Sequence, residues 1–233
     1  MGLGLGIVAC LLTFIVVGIM VIQARFAARA WRQTIAAGDS QALAALLDQT
    51  FDSWRSDRPP RRTPPADWRA LHTAAVVAAD RERIRVSLLA EPDVRVVEGQ
   101  RVEVADAREV ARRAAVRMVE RLMYEMPYVS FEQAQVDVLT EFRRQADGAV
   151  TSQCLLSTRV TREQAAGSDW EGNDHIAMLA EWDTREDAPG QPVDPDAGAV
   201  ILAPAIDPAD AVRAAEAALR ARREAERERN GDA

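Results

Sequence analysis

Residues 108–126, REVARRAAVRMVERLMYEM, decide the architecture because they combine helical periodicity with a clear beginning and end. Apolar side chains recur at every fourth position, at Val110, Ala114, Met118, Leu122 and Met126. This spacing predicts a helix with one buried stripe, capped by Asp106 and ended by Pro127. A methionine-rich stripe also suits an adaptable binding groove, but we interpret it as packed core.

Two β-hairpins are predicted on either side of this helix. Residues 136–142 alternate between apolar and polar side chains, and a second alternating run over 150–160 follows the turn Ala146-Asp147-Gly148. Cys154 lies in that second run, where a small buried side chain is expected. Glu98-Gly99-Gln100 separates two shorter valine-containing runs and predicts the other hairpin.

The remaining elements are predicted from caps and breakers. A helix capped by Asp39 or Ser40 comes first, and ADWRALHTAAVVAADRE, residues 66–82, predicts another. His72, on that helix, has no partner at ligand spacing and is interpreted as an ordinary surface or core residue. Asn173 or Asp174 caps a short helix. A last strand is predicted over residues 200–203, and Asp207-Pro208 opens a charged helix to about residue 227.

These elements predict an α+β fold with a mainly antiparallel sheet packed by helices. The predicted organisation is a transmembrane anchor at 1–24, a helical neck with a proline-rich connector at 25–64, an α+β domain at 65–206 and a charged tail at 207–233. The connector contains RPPRRTPP, residues 58–65, which cannot remain helical. It is interpreted as a stiff spacer, with a PxxP-type ligand as the alternative.

The N-terminus predicts a membrane anchor. Residues 3–22 contain no charged side chain, and as a helix they would span about 30 Å, the thickness of the hydrocarbon core. A cleaved signal peptide ending near Ala28-Arg29-Ala30 is an alternative, but no basic residue precedes the apolar run. A lipoprotein signal at Ile7-Val8-Ala9-Cys10 is a second alternative, although the apolar run continues past it.

The charges beside the span predict its orientation. Arg25, Arg29 and Arg32 follow it directly, so the positive-inside rule places the C-terminal domain in the cytoplasm of a single-pass cell-membrane protein. The alternative is a domain on the outer side. Gly2, Gly6 and Cys10 are four residues apart, a spacing that allows close helix packing and homo-oligomer formation, although single glycines are common in such spans.

Composition excludes several classes of function. The net charge of −7 argues against a nucleic-acid-binding protein. All 29 basic residues are arginine, a bias typical of GC-rich bacterial genomes, so every mechanism that needs a lysine is excluded. The two cysteines, Cys10 in the span and Cys154 in the domain, are not expected to form a disulfide. No cofactor is expected.

Two clusters of polar residues are the candidates for chemistry. Asp137 and Glu141 on one predicted strand resemble the acidic residues of metal-dependent nuclease folds, though the usual catalytic lysine is absent. The second candidate is an acidic loop that carries Asp169, Glu171, Asp174 and His175. To bind a hard cation or zinc, several of these side chains would have to converge on one point.

No catalytic motif is present, so a non-catalytic domain that binds unidentified protein partners is the main functional hypothesis. A membrane-tethered metal-dependent hydrolase, or a degenerate nuclease-like domain, is the alternative.

Overall fold

The computed structural model describes residues 39–60, 63–97, 99–143, 150–172, 174–189 and 191–204. The helices are α1 (Ser40–Ser56), α2 (Pro65–His72), α3 (Ala107–Glu120), α4 (Arg162–Gly167) and α5 (His175–Glu181), and a π-helical turn, Arg121–Glu125, extends α3. The strands are β1 (Ala75–Ala79), β2 (Arg83–Leu89), β3 (Asp93–Val97), β4 (Gln100–Ala105), β5 (Gln133–Arg143), β6 (Val150–Thr161) and β7 (Asp183–Glu186).

Five strands form a mixed sheet in the order β1-β2-β5-β6-β7. Three of its pairings are antiparallel, and the central pairing of β2 with β5 is parallel. Parallel neighbours require a long crossover connection, which here contains α3 together with the separate hairpin of β3 and β4. The predicted α+β class with a mainly antiparallel sheet packed by helices is therefore confirmed.

The hydrophobic core lies between one face of this sheet and the helices. Alternate residues of β2 and β5 are fully buried there, namely Ile84, Val86, Leu88, Ala134, Val136 and Val138. The predicted stripe of α3 packs onto them, and Val110, Ala114, Met118 and Leu122 are each 0% exposed. The interpretation of the methionine-rich stripe as core is confirmed.

Helix α1 packs into the same core, although it was predicted as part of a membrane-proximal neck. Asp39 caps it by accepting hydrogen bonds from the backbone of Gln41 and Ala42 at 2.9 and 3.1 Å. Its inner side chains, Leu43, Leu46, Leu47, Phe51 and Trp54, are buried. The chain divides into compact units at Ile201/Leu202.

Two predicted elements are wrong. The helix expected over residues 66–82 ends at His72, because residues 75–79 pair with β2 as strand β1. The strand expected over residues 200–203 is absent from the described structure. The backbone N–H of Val200 instead donates to the side chain of Gln135.

Within the described part of the chain, no helix combines the length and apolar character needed to cross a bilayer. The predicted anchor, the row of Gly2, Gly6 and Cys10, the juxtamembrane arginines and the charged tail lie outside the described residues.

Candidate functional site

Asp137 lies at the centre of a buried polar cluster on the sheet face opposite the helices. We define this polar cluster as Arg85, Gln135, Asp137 and Ser157, side chains that are each at most 3% exposed. Asp137 accepts hydrogen bonds from Nε of Arg85 at 2.6 Å, Oγ of Ser157 at 2.6 Å and Nε2 of Gln135 at 2.8 Å. The carboxylate therefore orients its three neighbours.

Residues 194–200 cross this cluster as a strap. Arg85 donates to Oδ1 of Asp196 at 2.5 Å, and Gln135 donates to the carbonyl of Pro195 at 2.8 Å. Burial alone would lower the pKa of Arg85, but its hydrogen bonds to Asp137 and Asp196 outweigh burial and raise that pKa above its ordinary value. Arg85 is therefore a fixed cation shared between the sheet and the strap.

Further arginines on the same sheet face hold the rest of the strap. Arg159 donates to the carbonyls of Ala197 and Gly198, and Arg185 also donates to Ala197. Arg83 donates to the carbonyl of Val200 at 2.9 Å. No residue between 191 and 200 contributes to the hydrophobic core among the described residues.

The structure does not bring the two candidate catalytic carboxylates together. Four residues along a strand separate Asp137 from Glu141, a distance of about 13 Å. Glu141 is exposed, whereas Asp137 is buried against Arg85. A shared metal ion needs ligand oxygens within about 2.5 Å of one centre, so this pair has no common coordination geometry.

The acidic loop uses its carboxylates for backbone capping. Asp169 accepts from the N–H groups of Glu171 and Gly172, and Asp174 caps α5 through Ile176 and Ala177. Among the described residues, no group of three or more His, Cys, Asp or Glu side chains is placed to hold a metal ion. His175, the remaining candidate metal ligand, lines a separate cleft elsewhere in the domain.

That site is a cleft of about 670 Å³ between α2, α3 and α5, which we call the helical cleft. Its walls carry apolar side chains and charges of both signs. Among the lining residues are Trp68, Leu71, Trp170, Met178, Asp67, Glu109, Arg113, Arg121, Glu125 and His175. Pro60, Thr63 and Pro64 of the proline-rich connector form part of its rim.

The charges in the helical cleft engage one another. Arg113 donates to both carboxylate oxygens of Asp67 at 2.8 Å and to Glu109 at 3.0 Å. The hydrogen bond with Asp67 is the largest cause of the raised pKa of Arg113. His175 Nε2 lies 3.0 Å from Oε1 of Glu109, but without the alignment of a hydrogen bond.

Aromatic rings surround Arg121, which lines the helical cleft. The guanidinium carbon of Arg121 lies 5.2 Å from the ring centroids of both Trp54 and Trp68, so the cation is held between two indoles. Tyr124 stands edge-on to Trp170, with ring centroids 5.6 Å apart. Both Arg121 and Tyr124 belong to the π-helical turn, a type of irregularity that occurs frequently at functional sites.

Sequence reasoning missed this cleft because its walls come from separate segments. The tryptophans at 68 and 170 carried the available signal, since large aromatic side chains often line binding sites. Their convergence on α3 depends on tertiary packing.

Comparison with known proteins identifies no relative of this chain. No protein-family model matches the chain, and neither a curated protein nor a solved structure matches it.

Proposed function

We propose that this protein is a single-pass membrane protein whose α+β domain is a non-catalytic binding module. The helical cleft would hold a segment of a protein partner. The observation that carries the proposal is the combination, in one cleft, of the partly exposed indole of Trp170 with arginines fixed by carboxylates and indoles. A preorganised wall of this kind loses little side-chain entropy when a ligand binds.

The lining indicates the chemistry of the partner segment. Trp170, which is only partly buried, offers apolar contact area, while Glu120 and Glu125 bring negative charge to the surroundings of Arg121. An apolar or aromatic anchor flanked by a basic residue fits this surface, because the anchor would contact the indole and the cation would face Glu125. Glu125 is half exposed and therefore accessible.

Backbone geometry next to the helical cleft supports a binding role. The π-helical turn Arg121–Glu125 continues α3 with a different hydrogen-bonding pattern, and Tyr128 just beyond it has φ of 64°. Positive φ costs free energy for a residue with a bulky side chain and is concentrated at functional sites. We infer that the conformation of residues 121–128 contributes to the binding surface of the helical cleft.

The separation of Asp137 from Glu141 favours binding over hydrolysis. An enzyme of the nuclease type would need these carboxylates to share a divalent cation. The binding module instead predicts that Mg²⁺ or Mn²⁺ leaves the thermal unfolding midpoint of the full chain in detergent unchanged. A midpoint that rises with metal and loses this rise in Asp137→Asn would favour the hydrolase.

Photocrosslinking tests the proposed binding site. A photoreactive phenylalanine analogue at Tyr124 would be placed in the full chain in its native membrane, with the same analogue at exposed Phe142 as the matched control. We expect a discrete crosslinked product only from position 124. Glu125→Arg should abolish that product. Glu132→Arg reverses the charge of an exposed residue that does not line the helical cleft, and this variant should retain the product.

The same product from both positions, or a product unaffected by Glu125→Arg, would exclude the helical cleft as the binding site. The observed partner must also carry the predicted basic residue near its contact, which mass spectrometry of the crosslinked peptide locates.

Labelling tests the proposed orientation of the domain. With Cys154→Ser as background, an Asn230→Cys substitution places a thiol in the tail. Protection from a membrane-impermeant reagent in intact cells, followed by labelling after lysis, is expected for a cytoplasmic domain. Labelling in intact cells would place the partners outside the cytoplasm and contradict the orientation predicted from Arg25, Arg29 and Arg32.

A further inference from the structure

We propose that the sheet face around the polar cluster is a second binding site, for a turn-forming peptide segment that carries a carboxylate. The strap, residues 194–200, occupies this site as an internal ligand and competes with a segment of the same chemistry from a partner. The site differs from the helical cleft, because it lies on the opposite face of the sheet.

The strap is held in the way that a bound peptide is held. Its backbone joins no strand of the described sheet, and none of its side chains is buried. The contacts run from sheet side chains to strap backbone, through Gln135, Arg83, Arg159 and Arg185. Its side-chain contact with the sheet is the carboxylate of Asp196 on Arg85.

This mode of contact defines what the site can recognise. Arginine and glutamine donors that bond to carbonyl groups recognise the backbone of a turn, here one in which the N–H groups of Ala197 and Ala199 donate to the carbonyls of Asp194 and Asp196. Arg85 adds selectivity, because a guanidinium paired with a carboxylate forms a charge-assisted hydrogen bond. The site should therefore accept segments that place one Asp or Glu beside Arg85.

The polar cluster also has hydrogen bonds within the sheet that do not involve the strap. Asp137 alone holds Nε of Arg85 and accepts hydrogen bonds from Ser157 and Gln135. Removal of the strap would therefore expose a preorganised site to water, while the apolar core on the other face of the sheet stays covered. A segment that leaves without uncovering core suits reversible release.

Gly198 makes the strap sensitive to substitution. Its φ is +69°, and a Cβ at this position would lie 2.8 Å from Nη1 of Arg159. Gly198→Ala should therefore loosen the strap without changing the sheet. Gly167→Ala is the matched control, since a Cβ there meets no atom within 4 Å and its φ is not positive.

The test is binding of a fluorescein-labelled peptide with the sequence of residues 191–202 to the full chain in detergent. We expect Gly198→Ala to bind it about tenfold or more tightly than the wild type, because the internal competitor is weakened. Gly167→Ala should bind as the wild type does. An Asp196→Asn change in the peptide should weaken binding to Gly198→Ala about tenfold, and Asp194→Asn should not.

A second measurement separates an internal ligand from a structural element. A protease site inserted between Pro189 and Gly190 allows the folded chain to be cut next to the strap. Excess unlabelled peptide should then displace the C-terminal fragment with the circular dichroism of the sheet unchanged. A peptide in which alanine replaces every residue except Pro195, Asp196 and Gly198 should displace it as well.

Three results would overturn the proposal. The first is equal peptide binding by the wild type and Gly198→Ala. The second is binding that does not depend on the Asp196 carboxylate. The third is loss of the sheet when the fragment leaves, which would make the strap an integral part of the fold.

Discussion

Nε of Arg85 donates a 2.6 Å hydrogen bond to Oδ2 of Asp137, and neither side chain is more than 4% exposed. The two residues lie on β2 and β5, the parallel pair at the centre of the sheet. A buried charge without its partner is strongly unfavourable. This ion pair therefore couples the stability of the central strands to the polar face that the strap covers.

Asp137→Asn should lower the free energy of unfolding by about 3 kcal/mol, since Arg85 would lose its closest buried counter-charge. Urea unfolding at neutral pH, followed by tryptophan fluorescence, measures this loss. Glu141→Gln on the same strand is the control and should change stability by no more than about 0.5 kcal/mol. Equal effects of the two substitutions would show that the buried pair has no special contribution.

Cys154 should be an unreactive thiol with a measurable effect on stability at alkaline pH. Burial, reinforced by the negative charge of Asp137, raises its pKa to about 12. The unfolded thiol ionises near pH 8.5, so this group's contribution to stability is present below that pH and is lost as the pH rises toward 12. Between pH 9 and 10 the loss is about 1.4 kcal/mol per pH unit.

The free energy of unfolding of the wild type and of Cys154→Ala, measured across this pH range, checks the direction of the effect. The variant has no thiol at position 154 to ionise, so its stability should fall less steeply with pH. In a Cys10→Ser background, alkylation of folded Cys154 at pH 8 should also be about a thousandfold slower than alkylation of the unfolded chain. Parallel declines and equal alkylation rates would contradict the raised pKa.

Arg121→Gln should destabilise the domain by about 1–2 kcal/mol, since the guanidinium contacts two indole rings that a neutral amide replaces poorly. Arg117→Gln, one turn earlier on α3, is the comparison. Arg117 is half exposed and paired with Glu120, so its replacement should cost less than about 1 kcal/mol. Thermal unfolding of both variants, with near-UV circular dichroism for the indoles, distinguishes the two positions.

Gly99→Ala should lower stability by about 1 kcal/mol, because Gly99 has φ of +82° in the turn between β3 and β4. Gly167→Ala should be neutral within about 0.5 kcal/mol. Amide hydrogen exchange of residues 93–105 reports whether the cost of Gly99→Ala is confined to this hairpin. A neutral Gly99→Ala would contradict the left-handed conformation at that position.

Elements with local signals were predicted well. The N-cap Asp106, the four-residue spacing from Val110 and the stop at Pro127 all lie within one segment, and α3 with its π-helical turn matches them. The turn glycine Gly99 likewise marked the hairpin of β3 and β4. In each case, residues close in sequence determine the local conformation.

Elements that depend on distant partners were missed or misassigned. Residues 75–79 are rich in alanine, which suits a helix, and they form a strand because β2 offers an antiparallel edge. The strap is held by residues 60 and 111 positions away, Gln135 to Pro195 and Arg85 to Asp196. The helical cleft likewise depends on long-range packing that local periodicity does not encode.

The parallel pairing of β2 with β5 has a consequence for the order of folding. The hairpin of β5 and β6 closes over a short connection. Pairing of β2 with β5 instead requires closure of a loop that contains the whole of residues 90–132. Non-local closure slows the search for the native state. We therefore expect the β5–β6 hairpin with α3 to form the early nucleus, and β1–β2 to dock onto it in the rate-limiting step.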